Sequence, residues 1–444
     1  MLKIWVALLL VSFSTLLFCH SSWAQERHFY QVAPKIFVPF NPAEENVICK
    51  EDELFVVALP TPRKDDSPLT EGPYAPHITP FGDKILFQGG GVGGRFSFNS
   101  VYLDEYYAIP IPDKNYFGAS LSSPTWSIDK TLKKIAFTME IEKIGATEIF
   151  LINSDGGGFR RVTHSPQRKF GYSSSVEPHL SEDGSFIVFR GIDIEPSYIG
   201  YIKTDGTGFR KLDEGWMPRG GNQNIALSND RVFYLKGYPT QIWMVNLEGG
   251  LSEQVTEEKE EVNAVSATSS GDIIAYVVKE GSGKPVHLKV IDLSSKKELL
   301  KVPNISKNKM WEPWQTLRIS KEGTKVLFTG QYEGEDGIFV FDLKKGKVTR
   351  IDKAFGTGHN PLDSYPDMCA TGEIIVFEGG PSGIALAFLP DETSPYLWIN
   401  TPAPMENITF LTPTISAGYQ DKCVVSGIDR KSVKVLVNEK DQTH

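Results

Sequence analysis

The feature that most constrains this chain is a short phrase that it repeats. A short turn, usually Ser or Thr, then two residues, then Gly or Asp, precedes a burst of apolar β-formers. The phrase reads Thr79-Pro80-Phe81-Gly82, Ser127-Ile128-Asp129, Ser181-Glu182-Asp183-Gly184, Ser228-Asn229-Asp230 and Thr268-Ser269-Ser270-Gly271. It returns as Ser320-Lys321-Glu322-Gly323, Cys369-Ala370-Thr371-Gly372 and Ser416-Ala417-Gly418. Successive anchors lie 48, 54, 47, 40, 52, 49 and 47 residues apart. A period of this size with several short strands per unit predicts an all-β fold, a single β-propeller of four-stranded antiparallel blades.

The unit beginning at Pro178 shows the expected blade. Pro178 to Ser181 is a first strand, and Glu182-Asp183-Gly184 is a tight turn, since Asp accepts local backbone bonds and Gly tolerates positive φ. Phe186 to Phe189, Tyr198 to Lys203 and Phe209 to Leu212 supply three more strands, with Thr204-Asp205-Gly206 as a hairpin turn. The unit at Pro124 repeats the pattern through Lys134–Phe137, Glu148–Asn153 and Arg160–Thr163. After Ser416 only two strands are expected, so Glu53 to Leu59 is assigned as the strand that completes that last blade and removes its exposed edges. Eight anchors closed this way predict eight blades, with seven as the alternative.

The phrases Pro124-Thr125-Trp126-Ser127-Ile128-Asp129, Ile149 to Gly156, Arg160-Arg161-Val162-Thr163 and Glu177 to Gly184 resemble the TolB-type, WD40-like propeller repeat. The resemblance covers most of the chain after residue 24. It implies a propeller and leaves function open, because the same blade serves unrelated roles. The stretch before the first unit does not read as the α/β domain that TolB carries, and no hydrolase domain is expected after the last blade.

The N-terminus reads as an export signal over residues 1–24. Lys3 is followed by an apolar run from Ile4 to Phe18, and Ser22-Trp23-Ala24 offers small residues for cleavage before Gln25. The run is shorter than the ~20 residues of a spanning helix. Residues 25–52 are expected to form a lead-in and 53–444 the propeller. A periplasmic or extracellular location follows, with no transmembrane segment after cleavage.

The net charge is −9, and no block of Lys and Arg appears, which argues against a nucleic-acid partner. The four cysteines, Cys19 among them, make no framework or zinc spacing, although Cys49 and Cys423 could meet if the termini share a blade. No Gly-x-Ser-x-Gly elbow, phosphate loop or His-Glu-x-x-His motif is present. His77 and His179 share one repeat position after Pro76 and Pro178, and the expectation is structural histidines without a metal. A divalent cation has no ligand cluster in the sequence to support it, so no cofactor is assigned.

The loops that leave second and fourth strands share one face of a propeller. On this reading that face gathers Tyr116, Phe117, Arg168, Tyr172, Trp216, Arg219, Trp311, Trp314 and His359. Aromatic groups with polar edges suit protein contacts and sugar stacking alike. The expected function is a non-catalytic, monomeric scaffold that binds an envelope or secreted protein, or a peptide, through Arg168, Tyr172, Trp216, Arg219, Trp311, Trp314 and His359. The alternatives are a carbohydrate-active lyase or hydrolase using Arg168, Tyr172, His359 or Asp363, and a glycan-binding module.

Overall fold

The computed structural model describes residues 30–33, 36–38, 47–51, 53–58, 74–89, 95–100, 106–110, 126–141, 146–165, 174–192, 196–218, 223–279, 285–306, 316–355, 364–379, 383–390, 396–401, 416–420, 436–437 and 440–441. These residues hold strands and turns throughout. Seven sheets of four or five antiparallel strands follow one another along the chain.

The first sheet runs from Tyr74–Ile78 to Tyr106–Pro110, and the second from Trp126–Ile128 to Arg160–Arg161. The third spans Ser174–Leu180 to Arg210–Gly215, the fourth Ile225–Leu227 to Glu253–Gln254, and the fifth Glu261–Ala267 to Lys297–Val302. The sixth runs from Leu317–Ile319 to Lys347–Arg350. The seventh combines Asp367–Met368, Ile374–Glu378 and Ile384–Phe388 with Leu54–Ala58 and Val47–Glu51 from the other end of the chain.

The recurring phrase has a direct physical cause. In each of the seven sheets a side chain at or beside the anchor caps the turn out of the innermost strand. Ser181 Oγ accepts the N–H groups of Ser185 and Phe186 at 2.9 and 3.0 Å, and Ser320 Oγ those of Thr324 and Lys325 at 2.9 and 3.0 Å. Thr79 accepts Lys84 N–H, Thr268 accepts Ile273 N–H, and Cys369 Sγ takes the N–H of Ile374. In the second sheet the cap is Asp129, whose Oδ1 accepts Lys133 and Lys134 N–H at 2.6 and 3.1 Å. The phrase there is therefore displaced by two residues from the Ser127 read in the sequence. Leu132 occupies the place that Gly184 fills in the third sheet and takes the same left-handed φ, 52° against 69°.

The sheets pack face to face in series. A separate apolar core joins each sheet to the next, from Phe137 and Phe150 against Leu86 to Phe328 and Leu317 against Val277 and Leu288. The seventh sheet packs on the sixth through Phe377 and Ile338, and also on the first, where Ile78, Ile85 and Phe87 share a core with Phe55, Val57 and Ile374. Leu54–Ala58 is buried at every position, as a strand covered on both faces must be.

That strand corrects one expectation. Leu54–Ala58 pairs with Ile384–Phe388 of the Cys369 unit, not with the Ser416 unit. The choice follows from burial: five consecutive apolar residues need a sheet already packed on both sides, and the Cys369 unit lies between the sixth and first sheets. Val47–Glu51, read from sequence as lead-in, adds a fifth strand to this sheet. Ser416–Gln420 pairs with Tyr396–Thr401 in a two-stranded ribbon. Cys49 lies in the fifth strand, while Cys423 and residues 1–24 fall outside the described residues.

Candidate functional site

Because side chains alternate along a strand, the residue two before each anchor always projects to the same side as the anchor. In chain order these residues are His77, Ser127, His179, Ala226, Ser266, Arg318 and Asp367. All seven line one cavity of about 460 Å³, into which every innermost strand contributes. Its rim carries residues of the capping turns, among them Lys130, Glu182, Asn229 and Lys321.

The cavity wall is stitched by a repeated bond. Ser127 Oγ accepts the N–H of Leu180 in the next sheet at 2.9 Å, and Ser266 Oγ that of Ile319 at 3.0 Å. Asp367 Oδ2 does the same across the seam between the last and first sheets, taking Ile78 N–H at 3.2 Å. The same carboxylate oxygen accepts His77 Nδ1 at 3.1 Å, and its partner oxygen lies 3.6 Å from Arg318 Nε. Burial alone would raise the Asp367 pKa. The hydrogen bond and charge of His77, with Arg318 and the Ile78 N–H, outweigh it and hold the carboxyl below its ordinary range.

His179 is pushed the other way from an ordinary imidazole. Burial first, then the positive Arg318 and Lys321 and the nearby His77, bring its pKa down to about 3, so it is neutral near pH 7. Lys321 lies 3.4 Å from Glu182, which also accepts the Ser269 hydroxyl. Glu177, also among the residues lining the cavity, is buried. Its carboxylate accepts the N–H groups of Asn224 and Ile225 at 2.6 and 3.2 Å and lies 3.4 Å from Arg190 Nε. Burial raises the Glu177 pKa despite those partners.

Turns leave the first and third strands on the cavity-rim side, where Thr204 N–H meets Ser185 O. Connections after second and fourth strands lie on the opposite side, where Gly237 N–H meets Trp216 O and Val262 N–H meets Thr240 O. Trp216 is on that loop side as expected. It is 53% exposed and stands edge-on to Tyr238, itself 83% exposed, with ring centroids 6.1 Å apart. Trp216 is not part of the cavity lining. The other expected partner residues, Arg168, Tyr172, Arg219, Trp311, Trp314 and His359, lie outside the described residues.

His77 and His179 do share one structural position, as their spacing implied. Arg318 and Asp367 were missed. Their signal was present: each stands two residues before the capping residue, where the histidines stand.

Two solved structures of oligogalacturonate lyase are similar to this chain in fold. One, described in complex with manganese, is 14% identical over 71% of this chain and 91% of its own, with a TM-score of 0.50. The other, from Vibrio parahaemolyticus, is 12% identical over 76% of this chain and 94% of its own, at 0.53. The chain has the β-propeller fold. The TolB-type resemblance read from the repeats is consistent with it; TolB from Acinetobacter baumannii aligns at 14% identity over 68% of this chain and 77% of its own, with a TM-score of 0.40. No family model matches the chain.

Among the described residues no three His, Cys, Asp or Glu side chains converge as ligands. His179 faces the positive Arg318 and Lys321, and Asp367 accepts His77 and Ile78 on Oδ2 while its Oδ1 faces Arg318.

Proposed function

We propose that this chain is an exported, seven-bladed β-propeller that binds a protein or peptide partner on its loop-bearing face, without chemistry of its own. The blade count follows the seven serial cores and the packing of the seventh sheet on the first. Export rests on the apolar run after Lys3 and the Ser22-Trp23-Ala24 cleavage signal. No helix among the described residues is long and apolar enough to cross a membrane.

The observation that carries the partner reading is the exposed pair Trp216 and Tyr238. Large aromatics bury most of their surface when nothing else is at stake. A tryptophan and a tyrosine held edge to face in solvent on a rigid base have the make-up of an interface hot spot. By contrast, Ser127, Ser266 and Asp367 in the cavity are occupied in joining the blades. The test is a crosslinked capture of the mature protein from its own cells beside a Trp216→Ala, Tyr238→Ala double variant. The reading requires a defined partner whose affinity for purified protein falls about tenfold or more in the double variant.

One observation favours a second reading, a carbohydrate-active enzyme working in the channel. His77 is oriented by Asp367 with Arg318 alongside, an arrangement suited to general base chemistry near an acidic group. The two lyases that share the fold belong to that class of reaction. Turnover of acidic oligosaccharides that drops with Asp367→Asn would establish it and displace the first reading.

A further inference from the structure

We infer that the partner docks through a basic segment, which lays an Arg or Lys side chain on Trp216 and Tyr238 beside the acidic loop at residues 257–261. This rests on the partner reading of the loop-bearing face.

The aromatic pair sits on a short hairpin. Lys236 pairs with Gln241 in the ladder, so Gly237, Tyr238, Pro239 and Thr240 form the connection between them. Gly237 N–H donates to the Trp216 carbonyl at 3.1 Å and ties the two aromatic residues together.

The acidic loop is fixed to the same hairpin. Val262 N–H donates to the Thr240 carbonyl at 2.9 Å. The buried Gln241 amide holds the loop itself. Its Nε2 donates to the carbonyls of Glu258 and Glu260 at 3.0 and 3.1 Å, and its Oε1 accepts Glu258 N–H at 2.8 Å. Aromatic pair and loop therefore meet a partner as one prearranged surface, which lowers the ordering cost of binding.

The ion pairs decide the sign of this surface. Lys289 balances Glu258 at 2.8 Å, Lys236 balances Asp213 at 2.6 Å, and Lys211 balances Glu214 at 3.1 Å. Beneath them Arg190 balances Glu177. Glu257, Glu260 and Glu261 form no ion pair with another described residue. The cations left to face them are Lys259 within the loop and Lys279, opposite Glu261 in the ladder. Three carboxylates against two ammonium groups leave one negative charge in excess, so the complementary segment is cationic.

The rings favour the same occupant. An indole or phenol face attracts an ammonium or guanidinium group. Elsewhere the chain supplies that group itself: Lys211 Nζ lies 4.8 Å from the Tyr198 ring centre, Arg210 4.3 Å from that of Tyr201, and Lys236 Nζ 4.9 Å from that of Trp243. Among the described residues no cation covers Trp216 or Tyr238. Lys236 packs against Gly215, next to Trp216, but its Nζ turns to Asp213 and Trp243.

The test is selection of a random phage-displayed peptide library on the purified mature protein, with counter-selection on the Trp216→Ala, Tyr238→Ala double variant. Surviving peptides are synthesised and titrated by fluorescence anisotropy. The expected survivors are enriched in Arg and Lys. Their affinity should fall about tenfold between about 0.05 and about 0.5 M sodium chloride. It should fall about tenfold again in a Glu257→Lys, Glu260→Lys variant, and rise in Lys259→Gln. Near-ultraviolet dichroism checks that each variant is folded. Survivors without an excess of Arg or Lys, or an affinity indifferent to salt and to the charge reversal, would overturn the basic segment while keeping the aromatic pair as a docking surface. No survivor that depends on the pair would overturn the basic segment and the partner reading together.

Discussion

His77 and Asp367 stand 290 residues apart in the chain and 3.1 Å apart in space, bonded across the seam where the last sheet meets the first. The bond joins the two ends of the serial arrangement at its inner edge. Ile78 N–H, from the neighbouring residue, reaches the same carboxylate oxygen. Ala370 N–H to Pro80 O continues the seam at the turns.

Asp367→Asn should therefore loosen the seam more than a solvent-facing substitution would. It removes a charge-assisted acceptor and costs about 1–3 kcal/mol in chemical denaturation at pH 7. The effect should vanish in acid. The folded pKa of Asp367 is depressed, so its contribution is present above the unfolded value of about 3.9 and is lost as pH falls through the folded value. A wild-type and variant that differ equally at pH 7 and pH 2 would exclude this role.

His179 predicts a second pH dependence in a different window. Its pKa falls from 6.5 to about 3 on folding, so the unfolded chain binds the proton more tightly between those values. Stability contributed by the neutral ring is complete above about pH 6.5 and declines as pH falls toward 3. His179→Gln should flatten that part of the stability profile, a difference of up to about 3 kcal/mol near pH 4. The measurement is the denaturation midpoint of both proteins from pH 8 to pH 4.

Arg190→Met should be among the most damaging single changes. It leaves Glu177 enclosed with no cation, and removing one partner of a buried pair costs about 3–5 kcal/mol. Glu177→Gln with Arg190→Met should recover much of that loss, because no charge is then left inside. Urea denaturation of the single and double variants checks the order.

The sequence made the strands and turns readable because a capping hydroxyl, a glycine and an apolar run recur together. It misplaced the second cap because Ser127 carries the hydroxyl that caps elsewhere, and only the geometry shows that Asp129 accepts the turn N–H groups while Ser127 reaches across to Leu180. The partner of Leu54–Ala58 was not readable, since a fully apolar strand fits any sheet packed on both sides. Arg318 and Asp367 escaped notice because the repeat fixes where a side chain points, not which residue stands there. Trp216 was readable as a loop residue; its exposure and its contact with Tyr238 depended on how two connections fold back on each other.

The closing strand gives a further prediction. Phe55 is 1% exposed and packs against Phe388 at the seam. Phe55→Ala should cost about 3–5 kcal/mol. It should also raise aggregation, because Ile384–Phe388 then lacks a firmly paired outer neighbour. Thermal unfolding with light scattering reads both effects.

The most direct test of the partner-binding account is site-specific photocrosslinking in the native cell, with a photoreactive residue at position 238 in one strain and at position 206, a solvent-open turn on the opposite side, in another. The account predicts one dominant adduct from position 238 that disappears when Trp216 is changed to Ala, and none from position 206. Adducts from position 206 alone, or none from position 238, would contradict it.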